Sequence, residues 1–154
     1  MPAWNSLQDQ LSKLPNDQKD GWLKTNIYSS LHQIATRRKN QNVIFYASAF
    51  LQKPQAGLHT QLTNEEINGL MAVMHGMDWK RGLTLILHTP GGVTNSVETI
   101  VDYLREKFGT FEVIVTEAIF VIEIELVFVA RIASGLQNSL RPLKIFNLRS
   151  TFSV

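Results

Sequence analysis

The chain has 154 residues, no cysteine and a formal net charge of +2, and this length suits one compact domain with a single core. The absence of cysteine excludes disulfides, thiolate metal sites and a cysteine nucleophile. Basic side chains form no cluster interleaved with aromatic residues, which argues against a nucleic-acid partner. Because the N-terminus lacks the basic start and apolar run of a signal peptide, we expect a cytoplasmic protein.

The first forty residues predict two helices. Trp4, Leu7 and Leu11 mark one face of a short helix that Pro15 would end. Residues 17–39 predict a longer amphipathic helix, because apolar side chains recur there at near-helical spacing. That apolar stripe consists of Leu23, Ile27, Leu31 and Ile34.

Residues 42–51 are rich in β-forming side chains and predict the first core strand. Residues 53–60 are interpreted as a loop. Thr63 and Glu66 then have the spacing of a capping box, which predicts a helix over residues 64–76. The apolar face of this helix would consist of Ile67, Leu70, Met71 and Met74.

Residues 83–104 read LTLILHTPGGVTNSVETIVDYL and predict a buried strand, a glycine turn and an amphipathic helix. Asn95 and Glu98 have the spacing of a second capping box. Residues 112–115 predict the next strand, so this region forms a βαβ unit with parallel pairing. The expected fold is α/β, a mostly parallel sheet with flanking helices. The core-facing positions of the helix are Val97, Ile100, Val101, Leu104 and Phe108.

The chemistry of this region lies in the glycine turn between the strand and the helix. Two adjacent glycines, Gly91 and Gly92, let the backbone bend sharply and leave its N–H groups uncovered. Amides just before a helix also lie at the positive end of the helix dipole, where an oxyanion or a phosphate is stabilised. The residues alone are equally consistent with a tight turn that holds no ligand.

LILHTPGG, followed by a helix ending VDYLREKF and by FEVIV, resembles the serine dehydrogenase proteinase family. That family belongs to the Clp-protease/crotonase superfamily, which also contains the signal peptide peptidases. The resemblance implies a Clp/crotonase-like fold and a serine protease activity on a peptide substrate, with no cofactor and no metal. It also implies an oxyanion hole formed by the amides of Gly91, Gly92 and Val93, although the family usually has a small residue where this chain has Val93.

The family pattern ends after Val115. The family continues with a segment of the kind Met-Ser-Ala-Gly-Thr, whose serine is the nucleophile, whereas this chain reads TEAIFVIEIELVFVARIASG. An ungapped comparison places the nucleophile near Val121, and residues 117–133 contain no serine, threonine or cysteine. Ser134 would need a long insertion and stays a weak candidate. Residues 119–130 alternate as a strand does, and their charges argue against a membrane span.

These observations divide the chain into an N-terminal segment (1–16), a Clp/crotonase-like core (17–115) and a divergent tail (116–154). The tail is interpreted as disordered, or as the product of a reading frame that shifts near Thr116. Either way the family's domain would be truncated. Three functions stay open. The chain is an inactive or truncated member of a serine peptidase family, a non-catalytic α/β scaffold or homo-oligomerisation module, or a small acyl- or anion-binding protein.

Overall fold

The computed structural model of the chain describes residues 4–116 and 144–147. Within these residues lie four helices: α1 (Trp4–Lys13), α2 (Asn16–Arg37), α3 (Glu65–Met74) and α4 (Thr94–Lys107). The strands are β1 (Asn42–Ala47), β2 (Leu83–His88), β3 (Phe111–Val115) and β4 (Lys144–Asn147). Short 3₁₀ segments cover Pro54–Thr60 and Trp79–Arg81. No helix in this described part is both long and apolar enough to cross a membrane.

The described strands form one parallel sheet in the order β1-β2-β3-β4. Helix α3 connects β1 to β2, and α4 connects β2 to β3, and both helices pack into the same core against the sheet. The predicted α/β class with a parallel sheet is therefore confirmed. Strand β4 lies in the segment for which the sequence predicted no strand. The strand pattern predicted over residues 119–130 lies outside the described residues.

The hydrophobic core lies between the sheet and helices α3 and α4. Strand β3 is buried along its whole length, and β2 is buried at every position except His88. This burial on both faces explains why these two strands are almost continuously apolar rather than alternating. The predicted apolar face of α4 is confirmed, since each of its five residues is at most 5% exposed. They are Val97, Ile100, Val101, Leu104 and Phe108.

The capping box predicted before α3 is present. The Thr63 amide donates to Glu66 Oε2 at 2.7 Å, and the Thr63 hydroxyl donates to the same oxygen at 2.8 Å. The Glu65 amide in turn donates to Thr63 Oγ1 at 3.3 Å. These bonds satisfy amides at the N-terminus of the helix that have no partner within the helix itself.

The capping box predicted at Asn95 and Glu98 is wrong. Helix α4 begins at Thr94, so the capping position is Val93, which makes no side-chain cap. Asn95 already lies in the first turn, and its carbonyl accepts a hydrogen bond from Thr99 Oγ1 at 2.8 Å. The spacing was correct for a box, but the turn enters the helix two residues earlier than the polar side chain suggests.

Two predicted apolar faces are more exposed than expected. Helix α2 has no buried residue, and Leu23 and Ile27 are 38% and 42% exposed. Met71 is 43% exposed, whereas Met74, one turn later on α3, is fully buried. The cause for α2 is its place in the topology, because it precedes β1 instead of crossing between two strands of the sheet.

The boundaries of several predicted elements also differ. Strand β1 ends at Ala47, and a turn occupies residues 50–51 that the sequence assigned to the strand. The predicted loop contains 3₁₀ turns over Pro54–Thr60, with Gly57 breaking their regularity. Strand β3 begins at Phe111, one residue before its predicted start. None of these shifts moves the glycine turn from its place after β2.

A buried carboxylate ties the end of α2 to the amino end of the sheet. Glu112 on β3 is 6% exposed and accepts a hydrogen bond from Thr84 Oγ1 at 2.6 Å. Arg38, just past α2, places its Nε 3.3 Å from Glu112 Oε1. Because a buried carboxylate without a partner would be strongly destabilising, this pair holds α2 in place although its apolar stripe is half exposed.

Candidate oxyanion site

The candidate site lies at the carboxyl edge of the sheet, where ligands commonly bind in parallel α/β folds. Three parallel strands end there side by side: β1 at Ala47, β2 at His88 and β3 at Val115. The turn that follows β2 crosses this edge and enters α4. Its position follows from the order of the elements, so the βαβ pattern in the sequence was sufficient to place it.

The turn is held by the segment that precedes α3. The Leu62 amide donates to the Gly91 carbonyl at 2.8 Å, and the Val93 amide donates to the Leu62 carbonyl at 2.9 Å. Thr89 Oγ1 donates to the same Gly91 carbonyl at 3.1 Å and is fully buried. These bonds fix both sides of the turn, so it does not depend on α4 alone for its shape. No pattern in the sequence indicates the role of Leu62.

Both glycines are required by this geometry. Gly91 adopts a φ of +155°, a backbone angle that favours glycine. At Gly92 the chain passes so close to its neighbours that a Cβ atom would lie 2.6 Å from Val97 Cγ2 and 2.8 Å from Leu62 Cβ. The two glycines therefore serve different purposes: one allows the backbone angle, and the other allows the close packing.

The three predicted donors differ in availability. The Val93 amide is occupied by the Leu62 carbonyl at 2.9 Å. The amides of Gly91 and Gly92 donate to no acceptor within the described part of the chain. Their loop enters α4, whose first turn carries no acidic side chain, so no carboxylate there offsets the positive end of the helix dipole. Two amides thus stay available for an anionic or carbonyl oxygen.

His88 ends strand β2 and has a structural partner. Its Nδ1 lies 3.1 Å from Thr116 Oγ1, and the Thr116 hydroxyl donates to the Leu87 carbonyl at 3.1 Å. Since the hydroxyl has only one proton, both bonds form together only if His88 Nδ1 carries the proton. The ring also packs against Phe50, with 5.1 Å between ring centroids.

Ser48 is a polar residue at this edge that sequence reasoning missed. Its amide donates to the His88 carbonyl at 2.9 Å, which continues the ladder past the end of β1. Its Oγ is buried and finds no hydrogen-bond partner among the described residues. A serine in an apparent strand gives no signal of this kind, because only the fold brings it beside His88.

The weak candidate for a nucleophile lies outside the described residues. Ser134, and Val121 at the position where the family has its serine, fall outside the described residues. Within residues 4–116 and 144–147 no group of three histidine or acidic side chains is arranged to hold a metal ion. The described site therefore consists of backbone donors and the residues that hold them.

Comparison with protein-family models, with curated proteins and with solved structures gives no match for this chain. The resemblance at residues 83–115 consequently stays a prediction, and so does the Clp/crotonase-like relationship of the fold.

Proposed function

We propose that this chain is a serine-peptidase-family protein, similar to the serine dehydrogenase proteinases, that retains an oxyanion-binding turn and lacks the nucleophilic segment. The observation that carries the proposal is the pair of Gly91 and Gly92 amides, which have no acceptor among the described residues. Support comes from the sequence LILHTPGG, which resembles the family at this turn. The truncated, Clp/crotonase-like character of the domain belongs to the same proposal.

The mechanism of an intact site of this kind is acyl transfer. A serine attacks the substrate carbonyl, and the oxygen becomes negatively charged as the tetrahedral intermediate forms. Donors already held in place stabilise that charge without reorganising. In this chain Gly91 and Gly92 would supply the donors, and the bonds from Thr89 and Leu62 to the Gly91 carbonyl would hold them.

The nucleophilic attack that begins this reaction has no residue to perform it in the matching position. Residues 117–133 contain no hydroxyl or thiol side chain, and a general base has nothing to activate without one. We therefore expect the turn to bind a carbonyl or carboxylate oxygen without cleaving a peptide bond. Ser134 is the nearest hydroxyl after this stretch and is the residue to test.

The direct test is labelling of the full chain with a fluorophosphonate, which reacts with activated serines, followed by mass spectrometry of the peptides. We expect no labelled serine, with the Ser134→Ala variant indistinguishable from the unmodified chain. A label on Ser134 that disappears in this variant would overturn the inactive assignment and identify the nucleophile. A catalytically active serine peptidase assayed in parallel confirms that the reagent works.

Two explanations for the lost segment are separated by the nucleotide sequence downstream of the Val115 codon. If another reading frame encodes a Ser-Ala-Gly segment followed by helix and strand patterns, the chain is an interrupted product of a protease gene. If all three frames lack it, the chain is a diverged relative that kept the scaffold and the oxyanion turn. The first result would also explain the abrupt change of pattern near Thr116.

A second candidate function uses the same amides to bind an acyl thioester or a phosphate, as crotonase-type folds do. The Gly91 and Gly92 donors favour it, and the absence of any lysine or arginine between residues 83 and 104 weakens it. Calorimetric titration of the full chain with coenzyme A and with inorganic phosphate distinguishes the two candidates. Binding of either would favour this function over the peptidase-derived one.

A further inference from the structure

Strand β1 has a free edge in the described sheet. The Asn42 amide donates to the Gly82 carbonyl at 3.2 Å, and the Ser48 amide donates to the His88 carbonyl at 2.9 Å. In a parallel pair, alternate residues point their backbone groups toward the neighbouring strand, so the even-numbered residues of β1 face β2. Val43, Phe45 and Ala47 therefore direct their N–H and C=O groups outward, where no other described strand pairs with them.

A groove of about 780 Å³ lies over this edge, between α2 and α3. Residues 43–46 form its floor, Ile27 and Leu31 line its α2 side, and Leu70 and Val73 line its α3 side. Several lining side chains are more exposed than apolar residues of a core: Phe45 is 40%, Ile27 is 42% and Val73 is 56% exposed. An unpaired strand edge flanked by exposed apolar side chains is a surface on which another strand can pair.

We propose that the β1 edge is the docking site for a second copy of this chain, which pairs its own β1 antiparallel across a two-fold axis. With the axis at Phe45, Phe45 lies opposite the partner's Phe45, and Val43 lies opposite the partner's Ala47. Each such pair of an antiparallel ladder exchanges two hydrogen bonds. All the outward-facing backbone groups of β1 would then be satisfied, and the two exposed Phe45 rings would cover each other.

The charges of α2 favour this occupant. A two-fold axis perpendicular to the sheet brings α2 of both copies together in antiparallel orientation. Asp17 and Asp20 are exposed at one end of α2, while Arg37 and Lys39 are exposed at the other. The antiparallel arrangement therefore opposes Asp17 and Asp20 with the partner's Arg37 and Lys39 and keeps the two basic ends apart, whereas a parallel arrangement would bring the basic ends together.

The face of α2 that lines the groove can also pack against the same face of α2 in a second copy. Its lining residues follow one helical stripe, with Lys24 near one end, Ile27, Tyr28 and Leu31 in the middle, and Ala35 near the other end. About the centre of this stripe, Tyr28 meets the partner's Leu31 and Lys24 meets the partner's Ala35. The Lys24 side chains of the two copies are thus kept apart. Tyr28, which is 71% exposed, is covered.

The first test is the sedimentation of the full chain across a wide concentration range, compared with the Ala47→Pro variant. Proline removes the outward Ala47 amide and leaves the bonds to β2, because the Ala47 amide points away from that strand. We expect a dimer whose dissociation constant rises about tenfold or more in this variant. The Ala47→Val variant keeps the amide and serves as the control, with an unchanged dissociation constant.

The second test exchanges charges at the two ends of α2. Asp20→Lys and Lys39→Asp should each weaken the dimer about threefold to tenfold, and the double variant should restore it, because the opposed pair is then rebuilt in reverse. Circular dichroism of each variant checks that the fold is retained. Recovery of the dimer in the double variant would show that the two residues contact each other across the interface, because a change within the monomer would not be reversed in this way.

The proposal is independent of the oxyanion turn and can fail while the proposed function stands. It is overturned if the full chain sediments as a monomer at all concentrations, or if Ala47→Pro leaves a dimer unchanged. It is also overturned if a monomeric chain binds a fluorescent peptide copying residues 42–48, because the edge would then accept a separate extended segment instead of a second folded copy.

Discussion

Helices α4 and α2 both have an apolar stripe in the sequence, but the stripe of α4 is the more regular, and only α4 buries it in the structure. On α4 the apolar face is buried, with Leu104 fully inaccessible, whereas α2 has no buried residue and leaves Ile27 42% exposed. The difference comes from topology. Helix α4 crosses between two paired strands and is pressed onto the sheet, while α2 precedes the first strand and lies at the free edge.

This contrast separates two kinds of surface. The face of the sheet with α3 and α4 provides the core that positions the glycine turn. The edge with β1 and α2 keeps apolar side chains and backbone groups available for a partner. A periodic pattern alone indicates that a helix has an apolar face, and only the fold indicates whether the same chain covers that face.

The largest expected effect on stability comes from a substitution on the buried face of α4. Leu104→Ala should lower the free energy of unfolding by about 2–5 kcal/mol, because it removes a fully buried side chain and leaves a cavity. Ile27→Ala is the matched change on α2 and should cost less than about 1 kcal/mol in the monomer. Denaturant unfolding at low protein concentration measures both. Equal losses would contradict the distinction between the two helices.

The next effect is at the turn. Gly92→Ala should destabilise the fold by about 1–3 kcal/mol, because the added Cβ would collide with Val97 and Leu62. Gly21→Ala on α2 is the control, since its Cβ would meet nothing within 4 Å, and it should stabilise the helix by about 0.5–1 kcal/mol. Thermal unfolding would contradict the account if both substitutions changed the stability in the same direction.

Helix capping gives a smaller and more local contrast. Thr63→Ala should cost about 1 kcal/mol, because Thr63 Oγ1 accepts from the Glu65 amide and donates to Glu66. Asn95→Ala should change the stability by less than about 0.5 kcal/mol, because Asn95 lies inside the first turn of α4 and does not cap it. Urea unfolding of the two variants tests this. A large loss with Asn95→Ala would restore the capping box predicted from the sequence.

The smallest effect appears only at high pH, at the boundary between core and groove. Burial, followed by the charge of Glu66 and a hydrogen bond to it, raises the pKa of Tyr46 to about 12. The folded state therefore holds this proton more tightly than the unfolded chain, whose tyrosines have a pKa of about 10. The contribution is fully present below pH 10 and is lost as the pH rises through about 12.

Tyr46→Phe isolates this contribution from the other groups that titrate at alkaline pH. The variant should lose less stability than the unmodified chain between pH 10 and pH 12. Ultraviolet absorbance of tyrosinate, measured on the folded protein, should show a late-titrating tyrosine in the unmodified chain that is missing from the variant. Identical alkaline unfolding of the two proteins would contradict the assignment.

The sequence was sufficient for the parts of the fold whose signals are local. The alternation of strands and helices over residues 42–115 predicted the parallel α/β sheet, and the paired glycines marked the turn. The spacing of Thr63 and Glu66 predicted a real capping box. These features depend on neighbours in the chain, so the pattern of residues contains them.

The rest depends on contacts between distant residues. Nothing near Leu62 indicates that its amide and carbonyl hold the turn, and nothing near Ser48 indicates its place beside His88. The Val93 amide is likewise unavailable because it donates to the distant Leu62 carbonyl, which the sequence of the turn does not reveal. Asn95 shows the reverse failure, because a correct local spacing did not specify where the helix begins.

The most direct test of the central claim is a ¹⁵N–¹H spectrum of the full chain during titration with acetate, which supplies a carboxylate oxygen. We expect progressive shifts of the Gly91 and Gly92 amides, with the Val93 amide unchanged because it donates to the Leu62 carbonyl. Shifts at Val93 equal to those at the two glycines, or no shift at either glycine, would contradict the assignment of this turn as an oxyanion-binding site.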